Sequence, residues 1–237
     1  MSDKELIQQV LNNKALIENL TQEQIIKKAI DYINGNKDFL KTITFKHNTK
    51  DKRLIFTAGS PGAGKSELAE ELTKQLKIDT IEADNIRKYC PHYNGHNSHL
   101  FQRASSKAVD ILVSYAFKNE ISFILDGNFA HYPIQKQNIE RALKRDYDVE
   151  IRFVSININE ARRYTKVREK TEGRRITDEV FQEKFLKSIE TVKKFFGIVK
   201  ISLYDLTNNN IIENISEEEF DTAMKNNLDK ITKIILP

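Results

Sequence analysis

Gly59-Ser60-Pro61-Gly62-Ala63-Gly64-Lys65-Ser66 decides how this 237-residue chain folds, because it meets the G-x-x-x-x-G-K-[ST] pattern at every position. Upstream, Arg53 to Ala58 has the apolar centre of a buried strand. Downstream, Glu67 to Gln75 is rich in helix formers, with Leu68, Leu72 and Leu76 spaced by four. A glycine-rich turn between strand and helix curls backbone N–H groups around an anion at a helix N-terminus. In such a turn Lys65 reaches the β- and γ-phosphates of a nucleotide and Ser66 can ligate Mg²⁺.

Beyond Arg53, strand-like and helix-like segments alternate, which predicts an α/β fold: about five parallel strands covered by helices on both faces. The strands are expected at 53–58, 77–82, 121–126, 149–156 and 199–206. Amphipathic helices are expected at 98–118, with Phe101, Ala104, Ala108, Leu112 and Tyr115 inward, and at 133–145, with Ile134, Ile139 and Leu143 inward. A helix from Glu160 to Glu172 is read as capped by Asn159 and stopped by Gly173. Thr177 opens the next helix, and Ser216 with Glu219 forms a capping box for the last. In front of the sheet, residues 4 to 20 carry a roughly helical apolar stripe. Thr21 and Gln24 then box the start of a second helix, whose apolar face runs from Ile25 to Ile33 before Gly35. The polar stretch 46–52 marks the entry to the main domain, so residues 1–50 are read as a helical segment and 51–237 as the catalytic domain.

Composition narrows the class. Hydrophobic residues at 39% and charged residues at 30% suit a soluble globular protein, and a formal net charge of +4 does not by itself imply nucleic-acid binding. The single cysteine, Cys90, excludes an intramolecular disulfide, suits a reducing cytoplasm and is read as an inert thiol. No run of 18 apolar residues and no signal-peptide core is present, so neither a membrane span nor export is expected. His92, His96 and His99 share one loop and are read as solvated.

In an open parallel sheet ligands gather at the carboxyl ends of the strands. The second strand ends in Glu82-Ala83-Asp84, which places a carboxylate where an acceptor hydroxyl would stand; Asp84 is read either as a general base or as the N-cap of a short helix at Asn85 to Tyr89, with Glu82 in reserve. The third strand closes its apolar run on Asp126, a pattern that positions Mg²⁺ or its waters. Transferred phosphoryl charge needs cations opposite. Arg168 shares a face with Ala161, Tyr164 and Thr165 and is expected to point inward, whereas Arg162, Lys166 and Lys170 are read as solvated. Arg174 and Arg175 follow Gly173 in a stretch that could form a lid.

Taken together, the loop Gly59–Ser66, Ile81 to Lys88, Ile124 to Gly127 and Arg168 to Arg175 resemble the zeta toxins of bacterial toxin–antitoxin systems, over about residues 21–206. The resemblance implies a P-loop kinase fold and transfer of the γ-phosphate of ATP, or GTP, to the 3′-hydroxyl of the amino sugar in UDP-N-acetylglucosamine or a related UDP-sugar, which starves peptidoglycan synthesis. It implies Asp84 as base, Lys65 and Ser66 as phosphate and Mg²⁺ contacts, and Arg168 and Arg175 as phosphate-stabilising arginines. Asp110, on a polar helix face with Arg103, Lys107 and Ser114, is similar in position to a substrate-contacting Glu of the family. Asn128 stands where the family usually has Thr and is followed by Phe129-Ala130, a departure that bears on substrate contacts together with Asp126. Family antitoxins are helical proteins that obstruct the nucleotide site, so the helix before Thr21 is read as a packing helix, a docking element or an inhibitor in cis. No nucleic-acid partner is expected, because no dense basic strip with interleaved aromatics is present. The alternatives within the sequence are a kinase of another hydroxyl, and a module that binds ATP and a protein without transferring phosphate.

Overall fold

The computed structural model describes residues 20–173 and 175–231, with the side chain of Glu172 left aside. The predicted helix at 4–20, except for Leu20, and the predicted lid residue Arg174 lie outside the described residues.

Six strands form one sheet: β1 (Arg53–Ala58), β2 (Asp79–Glu82), β3 (Phe123–Asp126), β4 (Asp148–Ser155), β5 (Lys200–Asp205) and β6 (Asn210–Ile212), in the order β2-β3-β1-β4-β5-β6. The first five are parallel, as their apolar runs require. β1 is buried on both faces between β3, with Leu54 beside Phe123, and β4, with Leu54 beside Val149. The sixth strand was not expected and runs antiparallel to β5. It is three residues long, at the edge and largely exposed, so it lacks the apolar run by which a strand is recognised.

The helices are α1 (Gln22–Gly35), α2 (Lys37–Thr44), α3 (Lys65–Leu76), α4 (Ala83–Arg87), α5 (Gln102–Lys118), α6 (Tyr132–Leu143), α7 (Ile158–Glu172), α8 (Asp178–Lys193) and α9 (Glu217–Ile231). Both capping boxes form: the Thr21 hydroxyl accepts from the Gln24 amide while the Gln24 side chain accepts from the Thr21 amide, and Ser216 and Glu219 do the same. Helix α2 was not predicted. Only Leu40 of it is fully buried, too little to show a period. The stretch from Ser98 begins as a 3₁₀ turn before α5, and Tyr115 is partly buried while Phe101, Ala104, Ala108 and Leu112 are in the core. Helix α6 is turned from the expected orientation: Asn138, Ile139 and Ala142 face inward, whereas Ile134 and Leu143 are exposed. Ile139 is inward as expected, and the buried face continues one turn on through Ala142 rather than Leu143. Asn157, rather than Asn159, caps α7, and Gly173 ends it in the left-handed conformation.

Helices α1 and α2 are built into the sheet domain. Ala29, Ile33, Leu40 and Phe45 belong to the same buried cluster as Ala104, Ala108 and Leu112 of α5 and Phe56 of β1. Because Ile33 is wholly enclosed, Ile33→Ala should lower the stability of the entire domain by about 2–5 kcal/mol. Urea unfolding followed by near-UV circular dichroism checks this. Unchanged unfolding of the sheet domain would mean that α1 is dispensable to it.

Candidate active site

The phosphate loop is held by close backbone approach. At Gly59 a Cβ would fall 2.3 Å from the Val154 carbonyl oxygen of β4, and at Gly62 it would fall 2.4 Å from the Ala161 carbonyl oxygen of α7. Both glycines also have positive φ, so any other residue would be strained and displaced at once. The Gly59 amide donates to Ser188 Oγ of α8 at 2.9 Å. The loop is thereby pinned to β4, α7 and α8 while it feeds α3.

Lys65, at the first position of α3, donates from Nζ to the Ser60 carbonyl at 2.5 Å. Burial, with Arg168 and Lys184 nearby, lowers its ammonium to about 8, against the opposing pull of Asp126 and Glu67. It is still protonated at neutral pH, and an anion in the loop would raise the lowered value again. Ser66 Oγ donates to Asp126 Oδ2 at 2.7 Å; the other Asp126 oxygen accepts from Thr57 Oγ1, which also accepts from the Gly127 amide at 3.0 Å. Thr57, which the sequence reading missed, thus orients Asp126. A buried polar residue in an otherwise apolar strand was its only signal.

Glu82 and Asp84 flank this pair. Burial, reinforced by the Asp126 and Asp84 carboxylates, pushes Glu82 up to about 7. Asp84 stands within the first turn of α4, whose N-cap position is Glu82, so the reading of Asp84 as the cap of a helix at 85–89 is corrected. Its carboxylate pairs with Arg87 at 3.0 Å. Arg87 is buried and is itself held by Gln102 Oε1 (2.6 Å) and Ser105 Oγ (3.2 Å) of α5. Arg87 stands one helical turn from Asp84, and the sequence reading did not single it out.

Lys65, Ser66, Glu82, Asp84, Arg87, Gln102 and Asp126 line a cleft of about 250 Å³ that also takes in Asn128, Thr165, Arg168 and Lys184. Lys184 was not singled out by the sequence; it shares a helical stripe with Ser188 of α8. Arg168 lines the cleft from α7, although it is exposed overall. Its neighbours differ from expectation. Arg162, read as solvated, is buried; it donates to the Asp178 carboxylate and to Thr165 Oγ1 (2.9 Å) and lies over the Phe181 ring. Tyr164, read as inward, is exposed. α7 packs through the face that carries Ala161, Arg162 and Thr165, because a planar guanidinium with satisfied donors can be buried whereas Tyr164 gains more at the rim. Arg175 is not brought to the cleft: its side chain is 78% exposed and sits 3.7 Å from Glu169.

Three hollows adjoin the cleft: one, about 740 Å³, shares Ser66, Glu82 and Asp126 with it and carries Lys46, His47, Lys74 and Lys88, and two others bear on the substrates. Of these two, the first, about 680 Å³, shares Gly62, Lys65, Ser66 and Arg168 with the cleft. Four exposed apolar side chains converge there, Tyr164 and Val167 from α7 and Leu206 and Ile211 from the β5–β6 hairpin. The second, about 400 Å³, shares Ala83, Gln102, Asp126, Gly127 and Asn128, and is walled by α5 and α6 with Asp110 on its edge. Asp110 is 74% exposed and pairs with Arg141 at 3.5 Å. Asn128 borders cleft and hollow alike because Phe129 anchors the loop: its ring is buried between Phe56 and Phe195, at centroid distances of 5.2 and 5.6 Å, and holds a left-handed backbone at φ 58°. Cys90 is buried and its thiol is raised to about 11, chiefly by that burial, as an inert thiol requires.

The metal question can be put to the donor set. Ser66 Oγ beside one Asp126 oxygen is a pair of hard oxygen donors next to the loop, and among the described residues no group of three or more His, Cys, Asp or Glu suited to a metal is present. That suits Mg²⁺, which is usually held through one or two protein oxygens plus substrate phosphates, and not a zinc-type cage.

A comparison with curated protein sequences finds no match. Among solved structures, the chain is similar to one from the PezAT chromosomal toxin–antitoxin system of Streptococcus pneumoniae, at 15% identity and a TM-score of 0.63, covering 92% of this chain and 97% of that one. It is also similar to the AvrRxo1-ORF1:AvrRxo1-ORF2 complex with sulphate ions, at 12% identity and a TM-score of 0.59, covering 87% of this chain and 72% of that one. At such identities these two likenesses speak for the fold alone. The zeta toxin family model, however, matches residues 36–233, which takes in the phosphate loop, all six strands and all three hollows; the chain belongs to the zeta toxin family.

Proposed function

We propose that this chain is an ATP-dependent phosphotransferase that moves the γ-phosphoryl group to a hydroxyl of a small acceptor. The observation that carries the reading is that Asp84, Lys65, Ser66, Asp126 and Arg168 line one cleft, which opens on hollows that could take a donor and an acceptor. Base and ribose are assigned to the hollow between the apolar side chains of α7 and the β5–β6 hairpin. The loop amides and Lys65 hold the β- and γ-phosphates, and Arg168 with Lys184 offsets charge on the transferring group. Ser66 and Asp126 would hold Mg²⁺, which when bound neutralises charge between the β- and γ-oxygens. Asp84, steered by Arg87, accepts the acceptor's proton as the new O–P bond forms and the bond to the β-phosphate oxygen breaks.

The family resemblance implies the 3′-hydroxyl of the amino sugar in UDP-N-acetylglucosamine as acceptor, with arrest of cell-wall synthesis as the consequence and a helical antitoxin as partner. It is the first acceptor to test. The neighbour from a toxin–antitoxin system supports a protein partner of this kind. Residues 1–20 are proposed as a second candidate for restraint, acting in cis. A second reading, an acceptor without phosphate, has one observation in its favour: the smallest of the three hollows is lined by no Lys or Arg among the described residues. The same observation disfavours a polynucleotide acceptor, whose phosphates need such residues.

Lys65→Ala is expected to abolish transfer without unfolding the protein; near-normal turnover would remove the phosphate-loop reading. Asp84→Asn should bind ATP as the wild type does and lose at least about 10²-fold in single-turnover transfer. Were Asp84 merely the counter-charge of Arg87, the substitution would lower the melting temperature and spare transfer. For Arg168→Ala the expected loss is on the order of 10³-fold, mainly in kcat. Arg175→Ala decides whether the lid closes: an equal loss assigns Arg175 to the transition state, and an unchanged kcat leaves it as the partner of Glu169. Starting the chain at Thr21 should raise activity if residues 1–20 inhibit, and equal activity would end that proposal.

A further inference from the structure

Gln102, the first residue of α5, lines both the cleft and the hollow walled by α5 and α6. Hydrogen bonds join it to the candidate base. Its Oε1 accepts from Arg87 Nη2 at 2.6 Å, and the other terminal nitrogen of the same guanidinium pairs with Asp84 Oδ1 at 3.0 Å. Behind them, Ser105 Oγ accepts from Arg87 Nε at 3.2 Å and donates to the Gln102 backbone carbonyl at 3.1 Å. Base, arginine and amide are therefore one connected unit.

A guanidinium has donors and no acceptor, and that decides which way the Gln102 amide faces. The carbonyl oxygen turns to Arg87, so the NH₂ group turns to the hollow. There it donates to Ser106 Oγ at 3.3 Å, one turn along α5, and Ser106 lines the hollow too. An amide nitrogen carries two hydrogens, and Ser106 takes one, which leaves the second for a bound molecule. The carboxylates around this place are already engaged: Asp84 with Arg87, Glu82 with Asn85 at 2.5 Å, Asp126 with Ser66 and Thr57, and Asp110 with Arg141. None of Lys65, Arg168, Lys184 and the four cations of the third hollow, Lys46, His47, Lys74 and Lys88, lines the hollow of α5 and α6.

The Asp84 carboxylate and the Gln102 carboxamide are bound to the two terminal nitrogens of one guanidinium. A sugar hydroxyl held at Asp84 therefore brings the substituent on its neighbouring carbon to Gln102. That substituent meets an N–H. A carbonyl oxygen satisfies it, whereas an ammonium sets donor against donor and leaves both without a partner.

We propose that Gln102 is a specificity-determining residue: oriented by Arg87, it reads the group beside the reacting hydroxyl as a hydrogen-bond acceptor, and so selects a sugar bearing a carbonyl there, such as an acetamido group, over one bearing a free amine. The proposal rests on the kinase reading above and names a feature of the acceptor within it.

The test uses the full chain with ATP and Mg²⁺ and two probes, UDP-N-acetylglucosamine and UDP-glucosamine, which share the nucleoside diphosphate and differ in the acetyl group. Phosphorylated product is followed by mass spectrometry, and binding to the protein loaded with a non-hydrolysable ATP analogue is followed by calorimetry. The expected result is a kcat/KM at least about tenfold higher, or a Kd at least about tenfold lower, for the acetylated sugar. Gln102→Glu keeps an oxygen for Arg87 and puts a second oxygen where the N–H stood, so that preference should fall at least about tenfold. Gln102→Leu removes both contacts: it should lower kcat for either sugar, because Arg87 and with it Asp84 are less firmly held, and bring the ratio between the sugars close to one. Equal or better use of UDP-glucosamine by the unaltered chain overturns the proposal, as does failure of both sugars to bind. A loss common to both sugars in Gln102→Glu, with their ratio unaltered, also overturns it and leaves Gln102 as a support of Arg87. Failure of the kinase reading is seen separately, as absence of ATP binding before any acceptor is added, and it removes the proposal as well.

Discussion

Backbone pressed on backbone at Gly59 and Gly62 is the constraint from which the site follows. With no room for a Cβ at either position, the loop lies directly on β4 and α7. Lys65 thereby lines the same cleft as Arg168. A methyl group at Gly62 would separate the loop from α7, and with it the lysine from the arginine.

Opposite shifts meet in the cleft that results. Burial drives Lys65 down to about 8 and Glu82 up to about 7, so each is held away from its charged form by the same desolvation. Such a site gains when charge of the right sign arrives: a phosphate relieves the ammonium, and a cation relieves the carboxylates.

Rigid supports hold these groups in place. Arg87, buried against Gln102 and Ser105, fixes Asp84 from behind. Arg162 ties α7 to α8 through Asp178, and so holds the helix that carries Arg168. Asp178 lies below the usual carboxylate range because of that bond, so the tie persists at neutral pH and is lost only as pH falls through the lowered value. Phe129 accepts a left-handed backbone in exchange for a buried ring, which is how a loop that departs from its family's residues still delivers Asn128 to the junction of cleft and hollow.

Local sequence by itself determined the parallel sheet, the phosphate loop, both capping boxes and the placing of Lys65, Ser66, Asp84 and Asp126 at the carboxyl edge. These depend on signals carried by neighbours in the chain: an apolar run long enough to be buried on both faces, glycines where φ must be positive, and a side-chain oxygen three residues from its amide. What only the tertiary structure decided are features set by distant partners. The short edge strand β6 exists because β5 is beside it. The orientations of α6 and α7 depend on which face their neighbours accept, so Ile134 and Tyr164 are outside while Arg162 is inside. Thr57 and Lys184 joined the site, and Arg175 did not, because proximity across the fold has no period in the sequence; it arises when elements from separate parts of the chain are packed onto one edge of one sheet.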